Sequence, residues 1–190
     1  MMTAKKNNEV GPANHALSEL DYANFDESSQ YLTFFLNQEL YAFGILHVKE
    51  ILEYGKVTKV PMMPEFIEGV INLRGEVIPV VNLARRFGLA ATSVTRRTCI
   101  VIVEVSSSDD SAQVIGVMVD SVSEVLEISS DNLRNAPSFG AAIRTDFIRA
   151  MGKIDDDFVV ILAEDKVLSI AEMAMVEQVR DFAEQEGLAP

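Results

Sequence analysis

The 190-residue chain has room for one ordinary domain or two small ones, and its 48% hydrophobic and 24% charged residues are a globular rather than a disordered composition. Twenty-nine acidic residues against 16 basic ones give a formal charge of -13, a field that repels nucleic-acid phosphates and anionic lipid. The basic doublets Lys5-Lys6, Arg85-Arg86 and Arg96-Arg97 have no interleaved aromatic residues for base stacking and read as solvated surface.

Residues 1–28 are rich in Asn, Ala, Ser, Glu and Asp, with too few apolar positions to order them, and read as a mobile tail. This segment has no apolar stretch of the signal-peptide kind, and nothing in the chain approaches the roughly 18 uncharged apolar residues of a spanning helix. The expected location is therefore the cytoplasm, without direct membrane insertion. A single cysteine, Cys99, inside the apolar run 98–105, fits a reducing compartment and packing as a small hydrophobe.

Order begins with two strands, 31–36 and 40–45, joined by a polar turn at Asn37-Gln38-Glu39. Residues 47–53 alternate polar and apolar as a half-buried strand, which places Val48 and Glu50 on one face and Ile51 on the other. Pro61 and Pro64 enforce an irregular connection. Residues 66–81 then form a hairpin about Gly75, where Pro79 argues for an edge strand or a bulge. A short helical turn at 82–88 and a linker at 90–95 precede strands at 99–105, 114–119 and 122–128, and a final hairpin crosses Asp155-Asp156-Asp157 into 158–162. Eight to ten short strands at this spacing mean an all-β sandwich or barrel.

The period changes at the end of the chain. Ser169 stands three residues before Glu172 in a capping-box arrangement, and Met175, Val179 and Phe182 fall on one face of a C-terminal helix of about four turns, which with a tail makes up 169–190. That stripe either packs on the barrel or is offered to a partner.

Catalytic and cofactor motifs are missing: there is no Walker loop, dinucleotide-binding glycine pattern, nucleophile elbow, HExxH or paired-cysteine motif. The three consecutive Asp residues lack the rest of a calcium loop and read as a solvated turn. The expected protein is not an enzyme and needs no cofactor or metal.

The segment Phe66-Ile-Glu-Gly-Val-Ile-Asn-Leu-Arg-Gly-Glu-Val-Ile-Pro-Val-Val81 resembles the most recognisable stretch of the CheW family. Tyr41 to Ile51, Val117 to Val125, Ala136-Pro137 and Met151 to Leu168 resemble further family segments in the same order, so the resemblance runs from about Tyr31 to the C-terminal helix. Asn82 stands where the family has Asp, Ala84 intervenes before Arg85, and Ala163-Glu164-Asp165 departs from the usual alternation. The resemblance implies two intertwined five-stranded SH3-like barrels, about 40–92 and 93–168 within a domain spanning 29–168, with the first strand shared, short helical turns and a C-terminal helix.

It also implies an adaptor that binds the regulatory domain of a CheA-type histidine kinase and the cytoplasmic hairpin tip of chemoreceptors, recruited to receptor arrays at the inner membrane. Self-association within such arrays is compatible with that role. On this resemblance Val48, Glu50, Arg74, Ile100 and Val125 are candidates for receptor contact, and Ile51 and Met175 for kinase contact. From the residues alone, Arg74 reads as a turn residue or a salt-bridge partner, and Ile100 and Val125 as core. The rival functions are an adaptor of a pilus-motility or other non-flagellar pathway, and a small-barrel enzyme or oligonucleotide binder.

Overall fold

The computed structural model describes residues 28–106, 110–137, 145–168, 182 and 185–187. Eleven strands follow in chain order: β1 (Ser28–Leu36), β2 (Glu39–Gly44), β3 (Val48–Glu53), β4 (Ile67–Leu73), β5 (Glu76–Asn82), β6 (Cys99–Ser106), β7 (Ala112–Val119), β8 (Ser121–Ser129), β9 (Leu133–Arg134), β10 (Ile148–Ile154) and β11 (Asp157–Leu162). Two single-turn helices, α1 (Leu83–Arg86) and α2 (Glu164–Val167), follow β5 and β11. Of the expected tail over 1–28, residues 1–27 lie outside the described residues and Ser28 opens β1; the cap and Met175 of the expected C-terminal helix lie outside them as well. Of the predicted stripe only Phe182 is described, and its carbonyl accepts from the Glu186 N–H at 3.0 Å, the spacing of a helical turn.

The strands sort into two sheets, ordered β8-β1-β2-β11-β10-β9 and β3-β6-β7-β5-β4. Sheet membership therefore changes at β3 and again at β8. The expected division near residue 92 falls between β5 and β6, which share a sheet. It is β1 and β2 together, not the first strand alone, that join the C-terminal strands, with β2 pairing in parallel with β11. The β3-to-β4 sheet closes on itself: beyond β3 the chain reaches Thr58, which exchanges two 2.9 Å hydrogen bonds with Val70 of β4. Gly69 makes that approach feasible, because a Cβ there would sit 2.2 Å from the Thr58 oxygen and its φ is +148°.

Three apolar layers follow from strand alternation. Ile78, Val80, Ile100, Ile102 and Met118 fill the interior of the β3-to-β4 barrel. Tyr31, Ala42, Ile128, Val159 and Ile161 fill the other. Between the sheets lies the largest layer, where Phe34, Tyr41 and Phe43 meet Val81, Val101, Val103 and Val117. Strand β6 is apolar without alternation because it is covered on both faces: Ile100 and Ile102 point into its barrel, and Val101, Val103 and Val105 into the inter-sheet layer.

One expectation about the strands is altered. Pro79 does not lie on an edge, since β5 sits between β7 and β4. It is tolerated because its partner Val70 turns its own N–H and C=O to Thr58, and the parallel ladder to β7 begins only at Val80. The bulge lies in the facing strand, between Ile67 and Gly69. A second bulge lies in β8, which spends three residues from Val125 to Val122 where β1 spends two from Leu32 to Phe34, and the buried Thr33 hydroxyl bridges it by donating to the Glu124 carbonyl at 2.7 Å and accepting from its N–H at 3.1 Å.

Candidate functional site

The β4–β5 hairpin tip carries Arg74 at φ +53°, followed by Gly75 at φ +88°, whose N–H donates to Asn72 Oδ1 at 3.1 Å. This turn presents the Arg74 guanidinium to Glu50 of β3. The two form a bidentate pair, with Nη1 donating to Oε2 and Nη2 to Oε1, both at 2.9 Å. The hydrogen bonds and charge of Glu50 push the Arg74 pKa up, so the guanidinium keeps its charge at every physiological pH. Two residues expected to serve one partner are thus joined to each other on the surface.

Beside the pair, β5 and β7 diverge below Val80, leaving an open recess of about 440 Å³ lined by Gly75, Glu76, Ala112 and Val114 among others.

The faces of β3 differ from simple alternation. A bulge falls between Val48, opposite Val103, and Glu50, opposite Ile102. Residues directly opposite in an antiparallel pair share a face. Val48 therefore lies on the inter-sheet side with Ile51, which is opposite Val101, while Glu50 and Leu52 lie on the barrel-interior side. The expectation that Val48 and Glu50 share a face is corrected by that extra residue. Ile51 is 44% exposed, and the adjoining turn at Ile45–His47 leaves Leu46 exposed as well.

Ile100 is 1% exposed and packs inside the barrel with Met118 and Val80. It has no surface to offer a receptor, which corrects the expectation that Ile100 makes receptor contact. Val125 is 47% exposed on β8, a strand at the end of the other sheet, opposite the buried Leu32. The structure joins Glu50 to Arg74 and puts Ile51 on the same strand, and it places Val125 on a strand of the other sheet.

Three buried polar clusters were not legible as such. Glu164, at the start of α2, accepts from the Gly44 N–H at 2.9 Å and from Arg149 Nη2 at 3.3 Å, with His47 Nε2 4.0 Å away. Arg86 of α1 donates to the Val167 carbonyl at 3.0 Å and lies over the rings of Phe147 and Phe66, 4.6 and 5.4 Å from their centroids. It ties the end of one sheet to the end of the other.

Asn82 explains its own departure from the family pattern. Its Oδ1 caps α1 by accepting from the Arg85 N–H at 3.2 Å, and its Nδ2 donates to Glu68 Oε2 at 3.3 Å. Burial raises the Glu68 pKa, but hydrogen bonds from Lys59 and Asn82 and the charges of Lys59 and Arg85 outweigh it and hold the carboxyl below its usual range. An aspartate at 82 would have no proton to donate there. Ala84 is fully buried in the inter-sheet layer, and Ala163 precedes α2, where its carbonyl accepts the first helical N–H groups. Among the described residues no three His, Cys, Asp or Glu side chains gather as metal ligands would, and no helix is long and apolar enough to cross a membrane.

Two β-barrels packed through a common apolar layer, with an ion pair held at a hairpin tip and apolar side chains exposed on outer strands, define the class: a small two-barrel β-module. The chain belongs to the CheW-like family, whose domain matches residues 30–172. It is 33% identical over 150 residues to the chemotaxis protein CheW of Klebsiella aerogenes, covering 79% of this chain and 87% of that one. It is 30% identical over 152 residues to the CheW of Treponema pallidum, covering 78% and 86%. The crystal structure of the scaffolding protein TtCheW from Thermoanaerobacter tengcongensis superposes with a TM-score of 0.68 at 34% identity, over 76% of this chain and 94% of that one. As a member of this family the chain is a non-enzymatic scaffold of chemotaxis signalling.

Proposed function

We propose that the chain couples a CheA-type histidine kinase to chemoreceptors through two separable surfaces, and that these contacts recruit it to receptor arrays at the inner membrane. The receptor contact is assigned to Glu50, Arg74 and Val125, and the kinase contact to Ile51, with Met175 completing it. Val48 is half-buried against the inter-sheet layer on the Ile51 side, so its role is to seat β3 rather than to meet the receptor. The observation that carries this reading is the bidentate Glu50–Arg74 pair, a preorganised polar element at an exposed tip next to an apolar side chain on the opposite face of the same strand. Several modest contacts of this kind gain strength by avidity in a lattice, which is where self-association of adaptors would act.

The experiment compares Glu50→Arg, Arg74→Glu, the charge-swapped double variant and Ile51→Asp for binding to an isolated kinase regulatory domain and to a receptor cytoplasmic fragment, with circular dichroism as folding control. Each single charge reversal is expected to weaken receptor binding by at least about tenfold and leave kinase binding unchanged, with Ile51→Asp doing the reverse. The swap restores the intramolecular pair but not the surface it presents, so partial recovery of receptor binding separates preorganisation from direct contact. Equal loss of both affinities in folded single variants would refute the two-surface assignment.

A further inference from the structure

The connection from β3 to β4 passes through Val60-Pro61-Met62-Met63-Pro64, with Pro61 and Met62 forming a turn in which Met62 has φ +62°. Proline followed by a residue of positive φ is the central pair of a type II turn, whose second place ordinarily takes Gly or Asn. A methionine there carries left-handed strain, and the fold gives it no packing in return, because Met62 is 100% exposed while Val60 and Met63 on either side pack against the inter-sheet layer. The prolines fix the backbone on both sides, and the Ile67 N–H donates to the Pro64 carbonyl at 2.9 Å, so the thioether is held out in solvent rather than visiting it.

We infer that Met62 is an oxidation site of this protein, the described thioether that a two-electron oxidant of the peroxide class attacks first. The other described methionines are shielded: Met118 lies inside a barrel, and Met63 and Met151 are half-buried against the inter-sheet layer. In the step a sulfur lone pair attacks one peroxide oxygen, the O–O bond breaks and an S–O bond forms. The departing hydroxide takes the proton from the oxygen now bound to sulfur and leaves as water, so the sulfur loses two electrons and the peroxide gains them. The sulfoxide is polar and chiral, and converting Met118 or Met63 to it would disrupt packing, whereas Met62 has no packing to lose. The product is a folded protein whose loop tip has changed from apolar to polar, a state that sulfoxide reduction reverses.

The test exposes the full chain to excess hydrogen peroxide, quenches with free methionine at intervals, and locates each added oxygen by proteolysis and fragment-ion mass spectrometry, which separates Met62 from Met63. Met62 is expected to convert at a rate near that of free methionine and at least about tenfold faster than Met118, with the melting midpoint unchanged when Met62 alone is oxidised. Met62→Asn, which suits the turn, should fold and lack the fast phase at this position while Met63, Met118 and Met151 keep their rates. Oxidation of Met63, Met118 or Met151 as fast as Met62, or a fall in melting midpoint on conversion of Met62 alone, would overturn the inference.

Discussion

Replacing Asn82 with aspartate would put a second carboxylate 3.3 Å from Glu68 Oε2, where an amide N–H now donates. Coulomb repulsion at that distance is about 5 kcal/mol at an effective dielectric constant near 20, a ceiling that Lys59 and relaxation reduce. Loss of the hydrogen bond adds about 1 kcal/mol, and protonating one carboxyl limits the total, so the expected destabilisation at pH 7.5 is about 3 kcal/mol, a fall in melting midpoint of about 6–12 °C. The pH dependence has a definite sign. In the variant one carboxyl has a folded pKa above its unfolded value, so the folded state binds the extra proton and the penalty shrinks as pH falls toward 5. In the parent protein the Glu68 pKa is lowered, so its contribution is intact above the unfolded value of about 4.3 and is lost only as pH falls through the lower folded value. Urea unfolding of both proteins at pH 7.5 and 5.0 measures the gap. A deficit under about 1 kcal/mol at pH 7.5, or one that does not narrow at pH 5.0, would refute the role given to the Asn82 donor.

Ile100→Ala should cost about 2–5 kcal/mol by urea unfolding and weaken both partners only in proportion to the unfolded fraction, as befits a barrel-interior side chain. A fully stable variant with selectively lost receptor binding would return Ile100 to the surface. Gly69→Ala, by driving a Cβ into the Thr58 carbonyl, should cost at least about 2 kcal/mol and expose the Thr58 and Val70 amides to hydrogen exchange. Unchanged protection of those two amides would contradict the close approach.

The strands are legible in the sequence because apolar and β-branched runs separated by Asn37-Gln38, Gly75 and Asp155-Asp156 leave few alternatives, and all three are turns here. The faces are less so. The bulge between Val48 and Glu50 inserts a residue without any Gly or Pro to announce it, and one extra residue exchanges the sides of everything beyond it. Ile100 and Val125 show a related limit: both sit in apolar runs that read as core, both became surface candidates through the resemblance, and nothing in the runs themselves says that Ile100 is 1% exposed and Val125 47%. Glu164 and Glu68 show a third limit, since a buried carboxylate is spelled like an exposed one and only its partners, Gly44 and Arg149 or Lys59 and Asn82, set it apart.

The pairing of β2 with β11 sets the order in which this protein can be assembled during synthesis. Tyr41 must wait for Val160, 119 residues later, before its ladder forms, and Thr33 must wait 91 residues for Glu124. At about 5–20 residues per second the first hairpin therefore emerges with its apolar face and outer edges unpaired for roughly 6–24 s. Strands β3 to β7, contiguous in the chain, can close during that interval, so the nascent protein passes through a state in which a finished barrel trails a naked hairpin, and it is that hairpin that a ribosome-associated chaperone would have to shield.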